Sequence, residues 1–365
     1  MISFSTSIST LKSYIKAITF CTALSPIFAN GQDTQTRIWS AEKANEWYVS
    51  KPLHIGANFL PSTAINQLEM WQAETFDTAT IRRELSWAAA IGMNTMRVYL
   101  HDLAWKADPK GFKQRINTYL KIATSKGIST IFTIFDDCWN PEAGIGTQPA
   151  PKPGIHNSGW VRSPGKSVHD DSTQWSYLKD YVKDVLQSFR KDKRILMWDL
   201  YNEPGNSGYG KSSMPLLKKV FEWAWEIRPD QPLTCATWSN DKTYNEFQLS
   251  VSDVITFHNY GDVKSLQKEI DKLQQLNRPV ICSEYMARTR NSFFQTHLPI
   301  FKSHKVGAIN WGLVAGKSNT IYAWDTPMPD GAEPKLWFHD IFRKDGTPYR
   351  QDEIDAIKNA AGIQK

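Results

Sequence analysis

The feature that most constrains the fold of this chain is a regular alternation of short apolar runs with longer helical segments. Eight runs of four to seven residues are rich in Ile, Val, Thr, Phe and Leu, the composition of buried parallel strands. In chain order the predicted strands are 53–59, 95–100, 130–135, 195–200, 233–237, 254–258, 280–283 and 308–311. This alternation predicts an α/β fold, a single (β/α)8 TIM barrel.

Segments with helical periodicity separate the predicted strands. They are 78–91, 109–126, 172–191, 213–227, 263–275 and 293–303, with a shorter candidate at 244–249 and a lead helix at 39–50. Gly92 and Gly127 follow two of these segments, as is typical of helix ends. An open doubly wound sheet is disfavoured because no glycine-rich turn follows the first strand. We therefore predict one catalytic domain over residues 52–365, preceded by a lead segment at 30–51.

Two connections are too long to be plain turns. One follows the third predicted strand and runs from 136 to 171, and the other follows the eighth and runs from 312 to about 337. Both leave the carboxyl ends of strands, where barrel enzymes build their sites. Long loops in compact domains are usually functional, so these extended loops after strands 3 and 8 are expected to shape a site.

The first 29 residues have the pattern of a secretory signal peptide. Lys12 and Lys16 precede an apolar run that ends near Ala29, and the segment has no acidic residue. The alternative, a membrane anchor, is disfavoured because the apolar run is too short to span a bilayer. No other stretch is long and apolar enough for a membrane span. We expect a secreted or periplasmic protein with residues 1–29 removed.

Charge and cysteine content exclude several classes of function. The net charge of +6 falls to +4 without the two lysines of the signal segment, and no basic block remains, so nucleic acid is not expected as a partner. Cys138, Cys235 and Cys282 are too widely spaced for a disulfide framework or a zinc motif and are expected to be buried. Histidines and acids lack metal-ligand spacing. We predict no metal and no cofactor.

Two glutamates stand at the ends of predicted strands. The fourth strand runs into Asn202-Glu203-Pro204, and the seventh runs into Ser283-Glu284. A single strand-end glutamate is commonly an ion-pair partner. Two carboxylates at the mouth of one barrel can instead flank a glycosidic bond, one as proton donor and the other as nucleophile. We therefore take Glu203 and Glu284 as candidate catalytic residues.

With these motifs the chain resembles clan A of the glycoside hydrolases, and most closely the cellulase-like family 5, over about residues 52–345. The resemblance implies a retaining mechanism in which Glu203 is the acid/base and Glu284 is the nucleophile. It also implies that the Asn202 amide holds the sugar 2-hydroxyl. No metal is implied, since clan A catalysis needs none.

The resemblance extends to four further positions. Arg97 fits an arginine beside the nucleophile, and His258 and Tyr260 fit a His-x-Tyr motif whose tyrosine contacts it. Trp311 fits a ring beneath the sugar that is cleaved off. The alternatives are an ordinary ion pair for Arg97, a core histidine for His258 and barrel packing for Trp311.

Other polar and aromatic residues that follow the first three strands are also candidates for substrate binding. They are Glu69, Trp71, His101, Asp102, Asp137 and Trp139. Asp136-Asp137 stands where family 5 endoglucanases commonly carry a histidine pair. These acids would either clamp the hydroxyls of one terminal sugar, as in an exo-acting pocket, or cap a turn; both readings stay open. His156, Asn157 and Trp160 are candidate walls of such a pocket.

Of 15 tryptophans, six fall after strands or in the long loops and are candidate sugar platforms: Trp71, Trp105, Trp139, Trp160, Trp311 and Trp324. The expected partner is a carbohydrate, with hydrolysis of β-glycosidic bonds in a xylan-, β-glucan- or mannan-like chain. A non-hydrolytic carbohydrate-binding barrel and a transglycosylase using the same glycosyl-enzyme are the alternatives.

Overall fold

A computed structural model of the protein describes residues 37–363. The predicted signal peptide and residues 30–36 of the lead segment lie outside the described residues. The described part begins with helix α1 (Ala41–Val49), whose first turn is capped by the Ser40 hydroxyl accepting from the Lys43 N–H. Among residues 37–363, no helix is both long and apolar enough to cross a membrane.

Eight parallel strands form the barrel and confirm the predicted fold class. They are β1 (Ile55–Asn58), β2 (Thr95–Tyr99), β3 (Ser129–Asp136), β4 (Ile195–Asn202), β5 (Leu233–Thr234), β6 (Ile255–His258), β7 (Val280–Tyr285) and β8 (Gly307–Trp311). Strand β1 pairs with both β2 and β8. The order β5-β4-β3-β2-β1-β8-β7-β6 leaves one seam, and a parallel bridge between Thr237 and Phe257 joins it. The two-residue β5 is shorter than predicted.

Helices surround the strands close to the predicted positions. They are α2 (Gln67–Trp71), α3 (Thr78–Ala90), α4 (Asp102–Ala107), α5 (Pro109–Thr124), α6 (Lys166–His169), α7 (Trp175–Phe189), α8 (Met214–Ile227), α9 (Lys242–Val251), α10 (Val263–Gln274), α11 (Phe294–His304) and α12 (Gln351–Ala360). Local chemistry explains their starts: Asp77 and Asp108 accept hydrogen bonds from the first turns of α3 and α5. Helices α2, α4, α6 and α12 were not predicted, three of them being one or two turns long.

Apolar side chains fill the barrel on both sides of its sheet. The large cluster packs the strands against the surrounding helices. A smaller cluster lies inside the barrel and contains Ile131, Leu196, Met197, Val254, Ile281 and Ile309. A third cluster, of Tyr99, Cys138, Trp160 and Trp311, covers the carboxyl ends of the strands. The polar residues at the mouth of the barrel lie above this third layer.

Two long loops extend from that end of the barrel. The β3 loop, residues 137–165, joins β3 to α6, and the β8 loop, residues 312–350, joins β8 to α12. The Asn157 N–H donates to the Ser318 carbonyl at 2.8 Å, and the Met328 N–H donates to the Gly154 carbonyl at 3.0 Å. The two loops therefore meet each other above the strands.

Candidate active site

The ends of β4 and β7 bring Glu203 and Glu284 together. His258, at the end of β6, lies between them: its Nδ1 is 2.7 Å from Glu203 Oε1 and 3.6 Å from Glu284 Oε2. One oxygen of each carboxylate and a ring nitrogen of His258 all lie within 4.8 Å of one another. Residues distant in sequence thus converge because the carboxyl ends of parallel strands meet at one end of a barrel.

Three donors hold the carboxylate of Glu284. Its Oε1 accepts from Arg97 Nη1 at 2.7 Å and from the Tyr99 hydroxyl at 2.8 Å, and its Oε2 accepts from the Tyr260 hydroxyl at 2.7 Å. The side chain is only 5% exposed. Two of the three bonds fall on Oε1, so Oε2 is the less encumbered oxygen and is the one that faces His258 and Glu203.

Arg97 lies beneath the two glutamates and hydrogen-bonds to several residues of the site. Its guanidinium is fully buried and donates to Asp199 Oδ2 from Nε (3.0 Å) and Nη2 (2.6 Å), and to Asn202 Oδ1 at 2.7 Å. Asn58 accepts a further bond at 2.8 Å. One cation therefore fixes both the carboxylate of Glu284 and the amide of Asn202.

Glu203 has a strained backbone and competing influences on its acidity. It is held at a φ of +44°, a left-handed conformation that costs a side-chain-bearing residue energy and is common at functional sites. Burial acts to raise the pKa of its carboxyl, but hydrogen bonds with His258 and Asn206 outweigh burial and lower that pKa. His258 Nδ1 lies 2.7 Å from Glu203 Oε1, so a hydrogen bond joins the two side chains.

Cys138 lies directly against this carboxyl. Its Sγ is 3.4 Å from Glu203 Oε2 and 3.4 Å from the Asn202 amide nitrogen. Burial and the neighbouring carboxylates of Asp136 and Glu203 keep the pKa of the thiol well above its usual range. Cys138 is therefore a neutral thiol that packs against Glu203 and not a nucleophile.

A cavity of about 420 Å³ opens above these groups. Its walls come from the β3 loop, from the segments that follow β4 and β5, from the ends of β6 and β7, and from the β8 loop. The lining residues are Cys138, Trp139, His156, Asn157, Trp160, Asn202, Glu203, Asn206, Ser207, Trp238, His258, Tyr260, Glu284, Trp311, Trp324 and His339. Aromatic walls with a few converging polar groups are typical of sites for small polar ligands.

Glu203, His258 and Glu284 are also the one group among residues 37–363 whose donor atoms are spaced to hold a metal ion. Arg97 already compensates the charge of Glu284 at 2.7 Å, and His258 Nδ1 is taken up by Glu203. The arrangement is equally that of two carboxylates prepared for acid/base and nucleophilic work, which needs no ion.

Several predicted mouth residues lie elsewhere. Trp71 is fully buried, packs against Phe76 and Phe112, and donates from Nε1 to the Tyr99 carbonyl, so its placement at the mouth was wrong. Glu69 does not line the cavity: it accepts from the Ile65 N–H and pairs with Lys317 of the β8 loop at 2.5 Å. The short helix α2 turns both side chains away from the site.

His101 and Asp102 support the loops and do not contact the cavity. Both are fully buried; His101 accepts from the Leu103 N–H at the start of α4, and Asp102 accepts from the Ser163 and Tyr177 hydroxyls. The structure does not bring them to the cavity as predicted, because they fasten α4 and the β3 loop to the barrel.

The Asp136-Asp137 pair forms a capped turn. Asp136 accepts from the Cys138 N–H and from the Asn202 amide, and Asp137 accepts from the Tyr201 hydroxyl and the Gly205 N–H. Burial raises the pKa of Asp136 to about 6 and that of Asp137 to about 7. Neither lines the cavity, so Asp137 is corrected from a sugar ligand to a support for the turn that carries Glu203.

The remaining predicted residues are brought together. Asn202, His258, Tyr260, Trp139 and Trp311 line the cavity beside the two glutamates, while Arg97 lies beneath it. Of the six candidate platforms, four line it, Trp139, Trp160, Trp311 and Trp324, whereas Trp71 and Trp105 belong to the apolar core.

Some site residues were missed from the sequence. Tyr99 lies two residues after Arg97 on the same strand, and strand alternation places both side chains on one face, a signal that was present. Trp238 follows β5, also a recognisable position. Asn206, Ser207 and His339 carry no local signal, because their place depends on how loops fold back over the barrel.

Comparison with known proteins finds a matching family model and solved structures of the same fold. The family model described as Cellulase (glycosyl hydrolase family 5) matches residues 57–317. A search of curated protein sequences found no significant match. Solved structures with the same fold include a β-mannanase from the blue mussel Mytilus edulis (TM-score 0.54, 16% identity, covering 75% of this chain and 89% of that one).

Two further structures have similar relations to this chain. The endo-1,4-β-D-mannanase of Thermotoga petrophila aligns with a TM-score of 0.54 and 16% identity over 86% of this chain and all of that one. An exo-β-1,4-mannosidase from an Opitutaceae bacterium aligns with a TM-score of 0.57 and 15% identity over 85% of this chain and 59% of that one. Identities this low show the shared fold alone.

Proposed function

Since this chain belongs to glycosyl hydrolase family 5, we propose that it is a secreted retaining glycosidase that cleaves β-glycosidic bonds by double displacement. The observation that carries the proposal is the separation of the two carboxylates. One oxygen of Glu203 and one of Glu284 lie within 4.8 Å of each other, a closest approach that leaves little room for a water between the two carboxyls. Retaining enzymes hold their carboxyls about 5–5.5 Å apart, whereas inverting enzymes need about 6.5–9.5 Å to admit a water.

Glu284 is the nucleophile in this proposal. Arg97 and Tyr99 hold its Oε1, which leaves Oε2 directed toward the cavity to attack the anomeric carbon. The attack forms a covalent glycosyl-enzyme and breaks the bond to the leaving oxygen. The three donors fix the carboxylate in one orientation before substrate arrives, so little reorganisation remains to be done during the reaction.

Glu203 donates a proton to the leaving oxygen and then takes one from the water that releases the sugar. Its Oε1 is hydrogen-bonded to His258 Nδ1 at 2.7 Å. In this proposal the carboxyl is protonated when the leaving oxygen binds beside it, and after the first step the resulting carboxylate acts as base. The bond to His258 orients the carboxyl in both halves of the cycle.

The sugar rests on Trp311, whose ring lies in the cavity floor. The apolar face of a sugar ring packs well on an aromatic face, and Asn202, which also lines the cavity, would bind the hydroxyl next to the anomeric carbon. Its amide is held by Arg97 and Asp136. We disfavour a non-hydrolytic sugar-binding role because Glu203 and Glu284 both line the cavity, beside Asn202 and Tyr260.

The decisive experiment is the stereochemistry of the first product. Proton NMR of a reaction on β-1,4-mannan, xylan and β-glucan should show the β-anomer before mutarotation; mannan is included because the similar structures include mannanases. A first-formed α-anomer would reject the retaining mechanism. Absence of new reducing ends on these and other β-glycans would reject the glycosidase assignment itself.

Export is tested separately. The full-length chain, expressed in a bacterial host, should appear outside the cytoplasm with a new amino terminus near Asn30 when measured by intact mass. Retention of residues 1–29 in the membrane fraction would favour the alternative of an anchor.

A further inference from the structure

The mouth of the barrel is closed on one side by interlocked loops. The β3 and β8 loops are joined by bonds from the Asn157 N–H to the Ser318 carbonyl (2.8 Å) and from Asn319 Nδ2 to the Lys152 carbonyl (2.8 Å). Gly154 is pressed so closely on Met328 that a Cβ would lie 1.6 Å from its carbonyl oxygen. The loops therefore form one continuous wall.

The segment after β1 completes this wall from below. The Lys317 N–H donates to the Ser62 carbonyl at 3.0 Å, and Asn66 Nδ2 donates to the Gly159 carbonyl at 2.8 Å. Strands β1 and β2 lie between β3 and β8 in the sheet. Accordingly, no residue that follows β1 or β2 before the next main helix lines the cavity. A groove for a long chain would have to cross this side, where only a small cavity of about 20 Å³ remains beside Phe59 and Leu60, too small for a sugar.

The solvent exposure of the residues that line the cavity decreases toward the wall. Ser207, beside Glu203, is exposed and Trp139 is 36% exposed, whereas Trp160, Asn157 and His339 are at most 3% exposed. The closed end lies on the nucleophile's side, since the His339 ring is 5.6 Å from that of Tyr260, which binds Glu284. With the proposed chemistry, the sugar that Glu284 attacks would lie at the closed end and its leaving group at the open end beside Glu203.

Unpaired polar atoms mark the closed end. Both side-chain atoms of Asn157 are buried without a hydrogen-bond partner among the described residues, and so is His339 Nε2. The Met286 carbonyl can only accept, so His339 Nδ1 carries the proton of their 2.6 Å bond and Nε2 is left as an acceptor. Buried polar groups are normally paired, and a sugar edge with several hydroxyls supplies both donors and acceptors.

We propose that this cavity takes only the non-reducing terminal sugar of a β-linked chain, making the protein an exo-acting glycosidase, with Asn157 and His339 as the groups that bind the terminal hydroxyls. The inference rests on the proposed function, because it needs Glu203 and Glu284 to cleave beside the bound sugar. The wall stops the chain after one residue, and the open end beside Ser207 lets the rest of the chain extend into solvent.

The test uses β-1,4-linked hexasaccharides of mannose, glucose and xylose whose reducing ends have been reduced to alditols. Exo action gives monosaccharide and the alditol shortened by one unit as the sole first products, as resolved by mass. Unreduced oligosaccharides of two or more sugars among the first products, which come from cleavage of an internal bond, overturn the exo proposal while leaving a glycosidase. If no chain is cleaved, including intact polymers, the proposed function fails and this inference with it.

The role of Asn157 is tested with Asn157→Gly. Asn157 has a φ of +47°, which glycine adopts without strain, so the backbone of the wall is preserved. Loss of its bonds to the terminal sugar should lower kcat/KM on the order of 10- to 100-fold. Asn291→Gly is the matched control, since Asn291 is also left-handed (φ 60°) but exposed and away from the cavity. Equal kcat/KM for the two variants would overturn the role assigned to Asn157.

Discussion

Replacing Arg97 by methionine should lower the free energy of unfolding by an amount that depends on pH. Both hydrogen bonds that the structure gives to the Asp199 side chain come from Arg97, and both fall on Oδ2. Asp199 is 1% exposed, and its Oδ1 has no partner among the described residues. Methionine would therefore leave the buried carboxylate of Asp199 without compensation, a change that typically costs about 3–5 kcal/mol. It would also remove one of the three donors to Glu284, which keeps its bonds from Tyr99 and Tyr260.

The folded variant can protonate Asp199 instead of keeping an unpaired buried charge. The free energy of that protonation is therefore the most that the lost pairing of Asp199 can cost. Burial already acts to raise the pKa of Asp199 against the opposing effect of Arg97, and without the arginine its folded-state pKa rises further above the unfolded value of about 3.9. Neutralising the group at pH 7 costs about 4 kcal/mol, at about 1.4 kcal/mol per pH unit. At pH 5 the limit falls to about 1.5 kcal/mol, because a folded state with a raised pKa binds more protons and is favoured as the pH falls.

Urea unfolding of the wild type and Arg97→Met at pH 7 and pH 5 measures this directly. The part of the deficit that comes from Asp199 should shrink from about 4 kcal/mol at pH 7 to about 1.5 kcal/mol at pH 5. Adding Asp199→Asn to the variant removes the unpaired charge and should restore about 2 kcal/mol or more at pH 7 but little at pH 5. A deficit that does not change with pH, or a double variant no more stable than Arg97→Met, would refute this account of the buried ion pair.

The other predictions concern the chemistry and the thiols. Glu284→Ala should abolish turnover with an unchanged circular dichroism spectrum, and a near-normal rate on the true substrate would reject the nucleophile assignment. Glu203→Ala should lose about 10²–10⁴-fold on natural glycans but much less on a dinitrophenyl glycoside, whose leaving group needs no proton; equal losses on both would contradict the acid role. Cys138, Cys235 and Cys282 are buried with pKa values that burial raises, so peptide mapping after alkylation should find them modified only in the unfolded protein. Rapid alkylation of Cys138 in the native protein would show that the thiol beside Glu203 is more accessible than the structure has it.

Much of the fold could be predicted because the relevant signals are local. Burial of parallel strands on both faces requires short apolar runs, and exposed helix faces require polar residues at helical spacing. Asp77, Asp108, Gly92 and Gly127 mark helix boundaries within a few residues of where the structure has them. The two-residue β5 was predicted too long, because only its pairing with β4 and a single bridge to β6 define it.

The candidate catalytic pair could likewise be located from the sequence. Glu203 and Glu284 end their strands, and a barrel places all its strand ends at one mouth. The same reasoning applied to loop residues was less reliable. Trp71 and Asp102 follow strands as Glu203 does, yet one packs in the core and the other secures a loop.

The sequence by itself therefore determined the barrel and the strand ends that carry Glu203 and Glu284, since both follow from patterns within a few residues. Only the tertiary structure decided which loop side chains face the cavity and that one side of the mouth is closed. The contacts that decide this join segments far apart in the chain, such as Asn157 with Ser318 and Asn66 with Gly159. No local pattern encodes such pairs, because each exists only when several loops are packed together at once.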